Sequence, residues 1–532
     1  MASKRSDSVF ASTPVSGVSS NRFDLSHDVK MSFRMGRLYP VTCLEVLPGD
    51  VWNIDFVTML RFMPLISPVM HRLKVTTDYF FVPNRLMWTG WEDWITGVTG
   101  GLPPLVVLDE HTIGETSLGN YLGLPVGNYG DTVAELSVSA FPAAAYLKLY
   151  DDWYRDQNQI SETFVPLVAG NNSGYATTLT SVCKSRAWEH DYFTSALPTA
   201  QQGTDVEIPL TFQNDIPVEW TNSSVATPLW RKPSDGTVSP DGFVKQVVGQ
   251  SFIDTNTLAN RTGYDPDGTL TVDIQSDAAS INDLRRAWSL QSFLEKSIRG
   301  GIRYVEQIWS HFQVRSSDAR LQRAEFIGRS VQNVTVSEVL ATAQSSNDNT
   351  NAQIAVGNMA GHALSVGGGN NMSFRAEEHG WIIGIISVLP DTAYMDGLHR
   401  SWSRFDRFDY AWPEFAGIGE QAIKNKELMC HDVADAADLE VDWGYVPRFS
   451  EYRFFNSRVA GQMATSLDFW HMGRKFAAGS IPGLNADFIE ADPTKRIFAV
   501  TGNAEDELVA HIMNKISVVR KLPRYGIPST IG

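Results

Sequence analysis

His190, Asp191 and Tyr192 stand side by side in the stretch RAWEHDYFTSALP. A histidine, a carboxylate and a phenol are groups that general acid–base chemistry uses. Their spacing works against that use. Neighbours in an extended chain point to opposite faces, and neighbours on a helix diverge by about 100°. His190 and Asp191 therefore do not converge easily on one substrate, and no catalysis is expected from them.

The other chemical patterns are weaker. VGGGNN, from Val366, lacks both the Gly-Lys-Ser/Thr ending of a phosphate loop and the GxGxxG spacing, so it reads as a turn. DPDGTLTVD, from Asp265, lacks the closing Glu of a calcium loop and reads as a surface turn. HDVADAADLEVDW gathers Asp432, Asp435, Asp438, Glu440 and Asp442, and reads as a solvated acidic loop. The eleven histidines form no HExxH or zinc pair, and no serine elbow is present. Cys43, Cys183 and Cys430 lie far apart and are expected as buried thiols. No cofactor and no metal are expected.

One charge feature is more specific. Glu507 is the last acidic residue, and the tail beyond it carries Lys515, Arg520, Lys521 and Arg524. On a chain of formal charge −16, such a segment suggests one face made for a polyanion. The alternative is four solvated cations on an edge strand.

The elements that must position these residues read mostly as strands. LYPVTCLEVLPGD ends in a Pro-Gly-Asp turn, and VWNIDFVTMLRF follows. HRLKVTTDYFFVP alternates, with Leu73, Val75, Thr77, Tyr79 and Phe81 on one face and Arg72, Lys74, Thr76 and Asp78 on the other. NRLMWTGWEDWITG is a short helical connector. A helix from about Pro142 carries Tyr146, Leu149, Tyr150 and Trp153 as a core stripe. A helix from Ile281 puts Leu284, Trp288, Phe293, Leu294 and Ile298 on a core stripe, and YVEQIWSHF turns Val305, Ile308, Trp309 and Phe312 inward. Strand texture returns in AEFIGRSVQNVTVSEVL, in MSFRAEEHGWIIGIISVLPDTAY, at KRIFAVT and in DELVAHIMNKISVVRKLP. Strands without regular helical alternation argue against a parallel α/β sheet and for a β-sandwich with large loops.

Between these lies a different texture. Residues 201–283 hold twelve acidic and four basic residues, a net charge of −8 that is half the chain's total. This is a long exposed insertion, with short strands expected in TDVEIPLTF and TLTVDI. Residues 1–30, rich in serine and small residues, read as an arm. They contain no apolar h-region, so no signal peptide is expected, and the longest apolar run, IIGIISVL, is too short to span a bilayer. With 43% apolar and 20% charged residues over 532 positions, the chain is globular. Its acidity excludes a surface that grips nucleic acid on every side.

Five blocks resemble the major capsid protein of the microviruses, small icosahedral phages with single-stranded DNA, and above all the gokushovirus subfamily. They are SHDVKMSFRMGRLYPVTCLEVLPGD, HDYFTSALPTAQ, GLHRSWSRFDRFDYAWPEFAGIGEQAI, YVPRFSEYRFFNSRVAGQMATSLDFWH and AHIMNKISVVRKLPRYGIPS. The resemblance implies a mainly β fold, a single eight-stranded antiparallel jelly roll with long loop insertions and several short helices. It divides the chain into an arm (1–30), a first half of the jelly roll (31–200), the acidic insertion (201–283) and a second half with the basic tail (284–532). Sixty copies would form a T=1 shell around a circular single-stranded DNA genome, with the insertion as a protrusion at the threefold axes that meets a host receptor. The implied partners are further copies of the chain, an internal scaffolding protein, a DNA pilot protein, a small DNA-binding protein and the genome. Assembly would take place in the host cytoplasm, without membrane insertion and without enzymatic activity. Two other classes fit the composition less well: a sandwich-fold carbohydrate-active enzyme with paired carboxylates in an aromatic groove, and a phage adhesion protein.

Overall fold

The computed structural model describes residues 20–129, 136–203, 211–214, 230–231, 263–264, 274–277, 281–301, 303–340, 342, 345–346, 353–354, 359–500, 502 and 505–525. The chain divides into two units, Met1–Ala200 with Ser297–Gly532, and Gln201–Lys296. The second begins where the acidic insertion was expected to begin and extends past its expected end at 283. Within it, Thr211–Asn214 pairs antiparallel with Ile274–Asp277, at the ends of the two expected strand segments.

Two large antiparallel sheets form the core of the first unit, beside several two-stranded ones. One contains β1 (Asn21–Asp24), β2 (His27–Phe33), β4 (Val51–Phe62), β7 (Thr335–Leu340), β8 (Met359–Gly368), β9 (Met372–Arg375) and β11 (Leu508–Arg520); the other contains β3 (Tyr39–Val46), β5 (Leu73–Pro83), β6 (Glu325–Asn333) and β10 (Gly380–Pro390). In the first, β11 lies between β1/β2 and β4, and β8 joins β4 to β7; the second runs β6–β5–β10–β3. Local sequence explains the pairing of faces. Trp52, Ile54, Phe56, Leu60 and Phe62 alternate along β4 and are buried, as are Leu508, Ala510, Ile512, Ile516 and Val518 along β11. They meet the second sheet directly: the Phe56 and Tyr79 rings lie 5.6 Å apart, and the Tyr79 hydroxyl donates to the buried Asn514 side chain at 2.8 Å.

Strand β5 departs from its alternating pattern. Thr76 and Asp78, on its expected polar face, are buried as deeply as Tyr79. The reason is a third layer. The helix Phe141–Leu149 continues into a π-helical turn, Tyr150–Tyr154, and lies over that face. Its stripe behaves as expected, with Tyr146, Leu149 and Tyr150 buried and Trp153 against Phe80 at 5.4 Å. Asp78 is satisfied there by a two-pronged Arg329 contact at 2.7 and 2.8 Å and by the Tyr154 hydroxyl at 2.6 Å.

Three expectations and one alternative are corrected. The arm is built into the chain's own sheet from Asn21 onward, because β1 and β2 pair with β11. In KRIFAVT the described residues, Lys495 to Val500, form no strand; Ile497 and Phe498 are buried in a turn, with one isolated bridge to Leu65. Strand β11 is internal, not an edge. In the helix Ile281–Gly300, Ile298 is buried but Leu284, Trp288 and Phe293 are half or more exposed; in Tyr304–Phe312, Val305 and Ile308 are half-buried while Trp309 and Phe312 are exposed. A helical period of apolar residues marks a face that can be buried, not what buries it.

Two histidines hold loop structure near the sandwich. His71 donates its Nε2 proton to the Asp391 carbonyl at 2.6 Å. His471 donates from Nε2 to Met463 at 2.8 Å, while its Nδ1 accepts the Gly473 N–H at 2.9 Å, which requires a neutral ring. Burial, with Arg496 adding repulsion, holds both below the usual histidine range. The unfolded chain then takes up protons that the folded chain refuses. The stability they support is present above about pH 6.5 and is lost as pH falls through that value toward the lower folded pKa. Thermal melts are expected to show a lower Tm at pH 5 than at pH 8, with a smaller drop in H471Q.

Candidate functional site

Alternation along β11 decides where the basic tail points. With Leu508 through Val518 inward on even positions, Lys515 and Ser517 face out. Strand β1 lies on one side, with Asp24 opposite Ser517, and β4 on the other, with Asn53 opposite the same residue. The turn after β8 brings up Asn371. The result is an open polar cleft of about 810 Å³ whose lining includes Arg22, Lys515, Arg524, Asn53 and Asn371. Arg22 Nη2 donates to Ser517 Oγ at 2.9 Å, and Asn21 Nδ2 donates to the Leu522 carbonyl at 2.8 Å, so β1 ties down the start of the tail. Asp24 adds one carboxylate, held below its usual range by hydrogen bonds from Ser26.

The four tail cations do not act alike. Lys515, Lys521 and Arg524 are exposed, and Lys515 and Arg524 share the cleft. Arg520 instead turns back: Nη2 contacts buried Asp50 Oδ2 at 2.6 Å, and its guanidinium sits 5.4 Å from the Trp52 ring centroid. Arg22, in the stretch read as an arm, lines the cleft with Lys515 and Arg524. No local pattern in the sequence marks Arg22, Asn53 or Asn371, which meet only through strand pairing. Chemically, the cations suit phosphates and the two amides suit the edges of unpaired bases.

The His190–Asp191–Tyr192 stretch has a structural role. His190 is exposed, whereas Asp191 and Tyr192 are buried and diverge. Asp191 Oδ1 accepts the N–H groups of Phe193 and Thr194 at 2.8 and 2.7 Å. Its Oδ2 accepts the hydroxyls of Thr392 and Tyr394 at 2.6 and 2.7 Å. Tyr192 donates to Glu427 at 2.9 Å. Burial and then the neighbouring carboxylate push both tyrosines far above the usual phenol range. Asp191→Ala strands two N–H groups and two hydroxyls, and is expected to cost about 3–5 kcal/mol of stability. His190→Ala is expected to leave the unfolding midpoint unchanged. Equal midpoints for the two variants would contradict this assignment.

The remaining patterns resolve locally. VGGGNN is a turn only in part: Val366, Gly367 and Gly368 end β8 against β4, and Gly369, Asn370 and Asn371 connect it to β9, with Gly369 N donating to the Phe56 carbonyl at 2.7 Å. In the acidic loop Glu440 pairs with Lys426, and Asp435 caps a short 3-10 turn. Among the described residues no three His, Cys, Asp or Glu side chains gather for a metal. DPDGTLTVD lies outside the described residues. Of the cysteines Cys183 is buried, Cys43 partly so, and Cys430 is exposed, contrary to expectation.

Comparison with known proteins gives a consistent picture. The family model described as "Capsid protein (F protein)" matches residues 11–530. The capsid protein VP1 of Bdellovibrio phage phiMH2K is 35% identical, covering 100% of this chain and 99% of its own length. The VP1 of Chlamydia phage 1 is 33% identical, covering 98% and 97%, and that of Spiroplasma virus 4 is 29% identical, covering 89% and 88%. Matches of this length, running from within the arm to the basic tail, leave no part of the sandwich unaccounted for: the chain belongs to the F-protein family of phage capsid proteins.

Proposed function

We propose that sixty copies of this chain build a T=1 icosahedral shell around a circular single-stranded DNA genome. The observation that carries this reading is the end-to-end match to the capsid family on an antiparallel β-sandwich. Strand order supports an eight-stranded jelly roll. Strands β2, β11, β4 and β8 lie adjacent in one sheet, and β3, β10, β5 and β6 in the other. Successive strands of the eight pass between the sheets except from β5 to β6, as two Greek keys allow.

In this reading the cleft beside β11 faces the genome, with Lys515, Lys521, Arg524 and Arg22 on phosphates and Arg520 holding the tail's root. Residues 201–283 form the outer protrusion and carry host attachment. A scaffolding protein, a pilot protein and a small DNA-binding protein join the particle. Assembly takes place in the host cytoplasm and the product resides in the virion. Negative-stain images of particles from infected cells test the shell: closed icosahedral particles are expected, and fibres or monomers alone would overturn the reading.

A further inference from the structure

The first unit carries an aromatic surface that its own fold leaves uncovered. Trp402 and Phe405 are 75% and 88% exposed. Phe408, Tyr410 and Trp412 follow in the same loop, and Tyr452, Phe454 and Phe455 come from the loop beside it; Phe455 is 64% exposed and the others about half. The two loops are one patch. The Arg404 guanidinium lies 5.5 Å from the Tyr410 ring and 4.4 Å from the Tyr452 ring, and His399 stacks on Phe455 at 4.6 Å. At roughly 200 Å² per aromatic side chain, these exposures leave about 950 Å² uncovered. A monomer's largest apolar patch is typically ~300–600 Å², whereas each partner in a standard interface buries ~800 Å².

The patch holds both a projection and a hole. A pocket of about 220 Å³ opens between the loops, with Trp402, Phe454 and Phe455 among its walls and Tyr192, Arg400 and Glu427 among its buried or half-buried lining. Its buried carboxylate and half-buried guanidinium are already served, whereas Asn456 Oδ1 is buried without a hydrogen-bond partner. Glu427 accepts from Tyr192 and from Arg400, and Arg400 also donates to the Ala422 carbonyl at 2.7 Å. Its aromatic walls suit a largely apolar occupant, with one acceptor, Asn456 Oδ1, left open on the lining. An engineered cavity of ~150 Å³ holds benzene, so a phenyl ring fits in this one. Phe405 projects a few residues from the Trp402 wall, and its own N–H is held by Asp409 at 2.8 Å.

We propose that this patch is a self-complementary contact across a twofold axis, in which Phe405 of each copy enters the pocket of the other. The inference rests on self-assembly of the chain and specifies one of its contacts. Head-to-tail contacts join two different surfaces of a subunit, whereas a twofold contact joins one surface to itself. Here projection and hole share one surface. Charge agrees: the 405–414 stretch carries exposed Asp406, Asp409 and Glu414 against one Arg407, while 452–458 carries exposed Arg453 and Arg458 and no carboxylate. A twofold axis sets each acidic stretch against the partner's basic one.

The test joins Phe405→Cys with Ser457→Cys in a Cys430→Ser background and treats intact particles with a short bismaleimide. A covalent dimer with nothing larger is expected. A ladder to trimer or pentamer shows a head-to-tail contact and overturns the inference, as does monomer alone from well-formed particles. Should the double variant fail to assemble, Phe405→Asp gives the answer alone: folded, soluble subunits with at least about tenfold fewer particles are expected, and unchanged yield refutes the contact. Absence of particles from the unaltered chain would instead refute the shell.

Discussion

Particles in which residues 205–278 are replaced by a short Gly-Ser link are expected to assemble in reduced yield and to lose host adsorption by about tenfold or more, a loss of ~1.4 kcal/mol or greater in attachment free energy. The segment carries most of the insertion's excess negative charge. Placed against a genome it would set phosphate against carboxylate in every copy, so the outside is its favourable location. Shortening it is tolerable because loop-closure entropy changes by only ~0.6 kcal/mol per doubling of length. The first unit keeps its two sheets without it, since no strand of either sheet comes from 201–296. The helix Ile281–Gly300 is best retained because Ser297 and Ile298 are buried in the first unit. Adsorption of labelled particles to host cells is the measurement. Normal adsorption by the shortened particles would remove the attachment role, whatever the segment's position.

The second large effect concerns the genome. Replacing Lys515, Lys521 and Arg524 together by Gln is expected to lower the salt dependence of single-stranded DNA binding by about 2 in the log–log slope, at ~0.7 per phosphate contact. Particles should then hold less DNA or release it at lower salt, read from the ratio of absorbance at 260 and 280 nm after a salt series. Arg520→Gln should behave differently. Its loss leaves Asp50 buried beside Trp52 without its cation, so it should destabilise the subunit by about 3 kcal/mol or more, with a weaker effect on the salt slope. Arg22→Gln should join the first group. If chemical labelling finds Lys515 and Arg524 modified on the outside of intact particles, the inward assignment fails.

The elements legible in the sequence are those set by local spacing. VWNIDFVTMLRF and LVAHIMNKISVVR were read as strands and became β4 and β11, along which buried and less buried residues alternate. LPGD became a turn with Gly49 at φ +87°, a conformation that glycine adopts without strain. The helix from Phe141 buried the stripe its spacing named. KRIFAVT misled because four consecutive apolar or small residues suit a buried turn as well as a strand, and only the ladder distinguishes them. The two later helices misled for a related reason: their stripes were read as core, yet much of each remains uncovered within one chain.

The candidate site divides along the same line. That the tail is basic is a property of composition, and that Lys515 points away from Ile516 is a property of the pleat, which repeats every two residues. Both are contained in the sequence alone. Which cation is free and which is committed depends on what stands opposite. Arg520 meets Asp50, 470 residues away, and Arg22 reaches the cleft through the pairing of β1 with β11. Likewise Asp191 and Tyr192 were bound to diverge by their adjacency, but that Asp191 would gather Thr392 and Tyr394 was decided by a loop 201 residues away. Side-chain direction follows from local backbone geometry; the partner that satisfies a buried charge is set by which distant segments the hydrophobic sandwich brings together.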